Sequence, residues 1–196
     1  MKTSAKISLP PGNMLNPLPV VMVSCGSIPD DYNIITVAWC GTICSEPPMC
    51  YVSIRRERHS YDLVKKYKEF VINLCTQELC AITDWCGVRS GRKYNKFQLM
   101  NITAMAAEKV KAPLIAESPL NIECIVKEII SLGSHDMFIA EVVAVHADEK
   151  LLDPKTQALR LDKADLVSYS HGNYYSLGEK IGKFGFSVQK KTSKKK

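Results

Sequence analysis

Six separate runs of this chain are apolar and rich in β-branched residues, and little between them carries the period of a helix. They cover residues 18–25, 33–40, 49–55, 69–75, 121–130 and 136–146. The third alternates, with Cys50, Val52 and Ile54 on one face and Tyr51, Ser53 and Arg55 on the other, the mark of a strand with one buried side. The last two are separated by Ser131-Leu132-Gly133-Ser134, a good turn sequence. Strands that follow one another without long crossover helices pair antiparallel, which predicts a barrel or a sandwich.

Helices are few. Residues 59–67 read as a helix with Ser60 as N-cap and Leu63 and Val64 on its buried edge. Residues 77–85 place Leu79, Ile82 and Trp85 at spacings of three. The basic stretch 87–97 (GVRSGRKYNKF) reads as a loop with one helical turn, and residues 153–185 as loop plus a short terminal element. With 196 residues the chain is the size of one domain, and its 46% hydrophobic and 23% charged residues exclude a disordered or collagen-like polymer. The single domain is expected over residues 1–188, followed by a disordered lysine-rich tail over 189–196.

That tail accounts for the charge. Of 26 Lys and Arg against 20 Asp and Glu, five are lysines in the last seven residues; without them 21 basic residues face 20 acidic ones. A nearly neutral body argues against nucleic acid as a partner. No apolar stretch is long enough to span a membrane, and Pro10, Pro11, Pro17 and Pro19 break what a secretion signal would need. The eight cysteines contain no Cys-x-x-Cys pair, so zinc and thioredoxin motifs lack their signature. Most fall inside apolar runs, where cysteine behaves as a small hydrophobe. A cytoplasmic protein with reduced thiols and no metal is expected.

Familiar catalytic motifs fail. Gly178-x3-Gly182-Lys183-Phe184 is one residue short of a phosphate loop and has no hydroxyl after its lysine. Nothing matches a dinucleotide fingerprint, a zinc-protease helix or a nucleophile elbow. What remains is a set of polar and aromatic groups at strand ends: Asn33 with Trp39 six residues on, Ser45-Glu46-Pro47-Pro48, Ser53-Ile54-Arg55, Ser90-Gly91-Arg92 running to Asn95-Lys96-Phe97, Gly133-Ser134-His135-Asp136 with Phe138, and Tyr169 ahead of Gly172 and Tyr174.

In this order, from about Pro17 to Gly185, the set resembles the flavin-reductase-like, FMN-binding split-barrel family and its flavoredoxin-like branch. The resemblance implies a mainly β fold, a six-stranded antiparallel Greek-key split barrel with a few flanking helices, a homodimer, and FMN held without a covalent bond near the subunit interface. It assigns cofactor contacts to Asn33, to the backbone of Thr36, Val37 and Ala38, and to Trp39, Ser53, Ile54, Arg55, Ser60, Lys96, His135 and Tyr169. Ser60 stands where similar proteins carry threonine, and Tyr169 where the family often has phenylalanine.

The chemistry of the residues agrees. FMN needs an apolar slot for a flat ring, donors for its carbonyls and positive charge for its phosphate. Trp39 offers a flat face, a helix start at Ser60 offers free N–H groups, and Arg55 and Lys96 offer charge. His135 offers a polar contact to phosphate or ribityl. Singly, Trp39 reads as core, Arg55 and Lys96 as solvated side chains and His135 as a turn residue; their joint order carries the assignment. The implied activity passes electrons from NAD(P)H or a redox protein through FMN to flavin, metal or protein acceptors, with the chemistry on the flavin and no protein nucleophile. The alternative is an FMN-bound electron carrier that does not react with NAD(P)H.

Overall fold

The computed structural model describes residues 3–188; the lysine tail expected at 189–196 lies outside the described residues. Seven strands form the main sheet: β2 (Val21–Cys25), β3 (Asn33–Val37), β4 (Cys40–Ser45), β5 (Pro48–Ile54), β6 (Glu69–Leu74), β9 (Leu120–Ser131) and β10 (Asp136–Ala147). Short strands β1 (Leu18–Pro19), β11 (Val167–Ser170) and β12 (Asn173–Ser176) make a second sheet, and β7 (Ala104–Met105) pairs with β8 (Leu114–Ile115). Three helices flank them: α1 (His59–Tyr67), α2 (Cys80–Val88) and α3 (Lys96–Leu99).

The main sheet runs β3-β2-β6-β9-β10-β5-β4, and every pairing in it is antiparallel. Its two edges are β3 and β4, yet only Ala38 and Trp39 separate them in sequence. A link that short spans no more than about 11 Å, so the sheet curls until its edges meet at those two residues. The result is a split barrel. The Trp39 carbonyl accepts the Ser53 N–H at 2.8 Å, which prolongs the β4–β5 ladder by one bond at the split.

Burial follows the pleat. Val21, Val23 and Cys25 on β2 face the barrel interior with Val52, Ile54, Phe70, Phe138 and Ala140. Met22 on the same strand faces the other way, into a layer with Ile34, Leu79, Cys86, Phe97 and Val167. A strand covered on both faces needs apolar residues at successive positions, which explains why residues 21–25 read as a continuous run; the start of the expected run over 18–25 belongs instead to β1, in the second sheet. The eight cysteines are free, and six of them are buried.

Other expectations change as well, among them the stretch 153–185, which holds the paired strands β11 and β12. The run read as one strand over 33–40 breaks at Ala38 and Trp39, and its far side begins the unread strand β4, so the main sheet has seven strands rather than six. The expected helix over 77–85 starts later and ends later, at Cys80–Val88. Gln77 is held by the Asp165 carbonyl at 2.9 Å and Thr76 Oγ1 accepts the Leu79 N–H at 3.2 Å, so those residues make a turn. Helix α1 keeps the expected range, but its N-cap is Arg58. Ser60 is the second residue of the helix and is buried, and its hydroxyl accepts from Asn33 Nδ2 at 2.7 Å rather than capping the helix.

Candidate active-site crevice

Two adjoining chambers open at the split. The first, about 350 Å3, is walled by Thr36, Val37, Ala38 and Trp39, by Ser53, Ile54 and Arg55 at the end of β5, by His135, by Asp84, Gly87 and Val88 of α2, and by Tyr169 and Tyr174. The second, about 210 Å3, is formed by Asn33, by residues 57–60 at the start of α1, by residues 88–91 from the last residue of α2 onward, and by Lys96. Ile35, Arg58 and Val88 line both, so the two form one bent crevice with an apolar limb and a polar limb. All twelve residues expected from the sequence border it, nine on the first chamber and three on the second.

The first chamber has a flat wall. Trp39 is 42% exposed at the split, and the His135 ring stacks with its indole at 6.0 Å between centroids and 11° between planes. Burial, with the nearby charge of Arg55, pushes the His135 imidazole below its ordinary value, so it is neutral at physiological pH. Ser134 Oγ lies 2.9 Å from its Nδ1. The next residue, Asp136, is held on three sides: Arg56 donates to it at 3.1 and 2.8 Å, the Tyr61 hydroxyl at 2.8 Å and Ser131 at 3.0 Å. Those bonds, Arg56 first, hold its carboxyl down at about 2 and pin the β9–β10 turn to α1. Thr36 donates its hydroxyl to the Thr83 carbonyl, which leaves the backbone of residues 36–38 as the strand's contribution to the chamber. Opposite, Tyr169 meets Tyr174 edge-on at 5.6 Å, and Tyr174 donates to Asp84 at 3.0 Å; burial and that carboxylate raise the Tyr174 phenol.

The second chamber is polar and close-fitting. A Cβ on Gly91 would fall 2.1 Å from Asn33 Oδ1 and 2.8 Å from His59 Cδ2, so only glycine lets the loop after α2 close on Asn33. Arg58 donates to the Gly87 carbonyl, which ties the start of α1 to the end of α2. The helix start and Arg58 together favour an anion here. Lys96 is 2% exposed and donates to the carbonyls of Ile34 at 2.7 Å and Cys86 at 2.6 Å. Burial lowers its ammonium to about 8. Lys96 therefore joins β3 to α2 beneath the chamber and adds positive potential, with one N–H left over.

The grouping differs from the expected one in two respects. Arg55 borders the apolar limb beside His135, not the polar limb with Lys96, and its side chain lies 3.6 Å from Glu57. His135 likewise faces the ring-shaped limb rather than the anion-favouring one. Sequence reasoning did not select Arg58, Asp84, Arg89, Ser90, Gly91 or Tyr174. The signal is present for three of them, since Ser90 and Gly91 stand in the basic loop motif and Tyr174 in the terminal aromatic one; for Arg58 it is hidden in a run with three arginines.

The model of the flavin reductase like domain matches residues 14–178. A protein of Pyrococcus abyssi is 31% identical over 80% of this chain and 90% of its own length, and a Streptomyces viridifaciens NADPH-flavin oxidoreductase is 26% identical over 55% of this chain and 56% of its own. Among solved structures, the flavoredoxin of Desulfovibrio vulgaris (Miyazaki F) superposes with a TM-score of 0.87 at 28% identity, over 94% of this chain and all of the other. A Thermus thermophilus FMN-binding protein does so at 0.76 and 24%, over 93% and 99%. The chain belongs to the flavin reductase like domain family.

Proposed function

We propose that this chain is an FMN-dependent oxidoreductase whose cofactor lies in the bent crevice. The observation that carries the reading is the joining of an apolar, flat-walled chamber to a polar one at the split, with Arg58 at their junction. The residues fit the group at both ends. Trp39 and the backbone of residues 36–38 offer the slot a flat ring needs, and Gly91, Arg58 and the first turn of α1 offer a close, positive seat for its phosphate. Family membership and the likeness to flavoredoxin support it.

When bound, FMN supplies the ring that accepts and gives electrons. The chain's own residues bind and orient it. Buried Lys96 sets a positive potential under the crevice, which favours negative charge on the ligand. Trp39 and His135 cover one flank and exclude water, while Asp84 stays at the opposite wall, fixed by Tyr174. Electrons come from NAD(P)H or a redox protein and leave to a flavin, metal or protein. The working unit is a homodimer in the cytoplasm; Ile7, Leu15, Ile181 and Phe184 on the terminal segments are largely exposed, and side chains of this kind are covered at subunit contacts.

The test is an absorption spectrum of untreated protein, then the same sample without oxygen after adding NADH or NADPH. Yellow protein that bleaches supports the oxidoreductase. Yellow protein that does not bleach marks an electron carrier, and colourless protein that takes up no added FMN overturns the flavin reading.

A further inference from the structure

A third cavity, about 420 Å3, shares Trp39, Tyr169 and Gly172 with the apolar chamber. Its other walls come from residues 12–16 of the N-terminal arm, from Leu18 on β1, from Tyr51 on β5 and from His171. Three features set it apart. Trp39, Tyr51 and Tyr169 give it aromatic walls, which suit a flat ring. Among the described residues lining it there is no Lys, Arg, Asp or Glu, whereas the crevice next door holds Arg55, Arg58 and Asp84. Its polar side-chain groups are the Asn13 and Asn16 amides, the His171 imidazole and the tyrosine hydroxyls.

The turn between β11 and β12 fixes the border between the two chambers. Ser170 pairs with Asn173, leaving a two-residue loop in which His171 has φ +47° and Gly172 φ +82°. Glycine, asparagine or aspartate suit the first of those positions, and a histidine there carries a backbone cost that binding sites often hold. Gly172 borders both chambers and places no side chain between them; beyond its two chain neighbours, nothing lies within 4 Å of where its Cβ would stand.

We propose that this cavity binds an uncharged, planar carbonyl compound of the quinone class, which takes the electrons delivered in the neighbouring crevice; the acceptor role rests on the flavin reading. An anionic compound would lose its hydration with no lysine or arginine in the lining to receive it, which argues against a nucleotide phosphate in this chamber. A ring with carbonyl oxygens needs only neutral donors, and the volume suits a ligand of one or two rings. The quinone becomes a hydroquinone by gaining two electrons and two protons. Bound FMN in its two-electron-reduced, singly protonated form would supply both electrons and one proton and return to its oxidised form, and water would supply the second proton, leaving hydroxide.

The experiment is equilibrium dialysis of duroquinone against oxidised, FMN-loaded protein and its Met14→Glu and Tyr51→Ala variants, with bound FMN per chain and melting temperature measured on the same samples. Met14 and Tyr51 border the third cavity and neither chamber of the crevice. We expect one saturable site per chain, at least tenfold weaker in both variants, with FMN content unchanged; anthraquinone-2-sulfonate, which carries a fixed charge, binds at least tenfold more weakly than duroquinone. Absence of saturable binding, or an affinity that survives both substitutions, overturns the proposal. Protein that holds no FMN yet binds duroquinone, and loses it in both variants, supports the chamber and overturns the flavin reading instead.

Discussion

The indole of Trp39 and the imidazole of His135 lie 6.0 Å apart and 11° from parallel, although one belongs to the link between β3 and β4 and the other to the β9–β10 turn. Each therefore braces the other across the opening of the barrel. With the imidazole held neutral by burial and by Arg55, the pair is a flat wall rather than a cation on a ring. We expect Trp39→Ala to weaken FMN binding about tenfold, a loss of about 1.4 kcal/mol, and Trp39→Phe to recover part of it. Titration by quenching of FMN fluorescence measures both, and an unchanged affinity in Trp39→Ala would remove the indole from the site.

Gly91 sits where a side chain cannot go without displacing Asn33, whose Oδ1 would be 2.1 Å from the new Cβ. Asn33 is itself held by the buried Ser60 hydroxyl, so it has nowhere to retreat. Gly91→Ala is expected to cost about 1–3 kcal/mol of stability, the usual range for overpacking, and to reduce FMN retention by more than Gly87→Ala does. At Gly87 the nearest contact for an added Cβ is Thr36 Cβ at 3.2 Å, tight but not prohibitive. Thermal melts and FMN per chain on the two variants separate the cases; equal retention counts against a role for the Asn33–Gly91 contact in the seat.

What the sequence made legible follows from how burial writes itself into residue choice. β5 alternates because one of its faces is inside the barrel, and β2 does not alternate because both of its faces are covered. β4 escaped notice as an edge strand with Gly41 and Thr42 near its start and a half-exposed Ile43; with little buried it carries little pattern. The break at Ala38 and Trp39 is apolar on both sides, so composition does not mark it. Lys96 is the plainest failure of local reasoning. A lysine reads as solvated, and its partners, the carbonyls of Ile34 and Cys86, become visible only when β3, α2 and α3 are packed. The choice among Arg55, Arg56 and Arg58 was equally closed, because the chain leaves a strand and enters a helix within those few residues. Arg55 borders the apolar limb alone, Arg56 clasps Asp136, and Arg58 holds the N-cap position of α1 and lines both limbs.

Asp136 makes the His135 turn sensitive to acid. Its carboxyl titrates at about 2 instead of its ordinary 3.8, chiefly because Arg56 and the Tyr61 hydroxyl bond its ionised form. A group held below its unfolded value contributes stability that is complete above that value and is lost as pH falls toward the folded one. The contribution should therefore vanish between about pH 4 and pH 2. Melting temperatures of wild type and Asp136→Asn, compared from pH 6 to pH 2.5, should converge as the pH drops. Arg56→Gln at neutral pH should lower FMN affinity while leaving the barrel folded, since it loosens the turn without touching the crevice. Curves that stay parallel throughout would show that the clasp contributes nothing.

Lys96 has the opposite pH signature. Burial brings its ammonium to about 8 from an ordinary 10.5, so between those values the unfolded chain binds more protons than the folded one. Stability from this group then rises with pH across that window, because the folded state no longer bears a desolvated charge while the unfolded state keeps its solvated one. Below pH 8 both states are protonated and the cost of the buried charge is constant. Lys96→Met removes the titration, and with it the two bonds to Ile34 and Cys86. We expect the denaturation midpoint of wild type relative to Lys96→Met to be flat from pH 6.5 to about 7.5 and to climb from about 8 to 10. FMN affinity should move the other way in wild type, weakening across the same interval as the positive potential under the crevice is lost, and should show no such step in the variant. A midpoint difference that falls with pH would mean that the ammonium is stabilised where it lies, and that its two carbonyl bonds outweigh its burial.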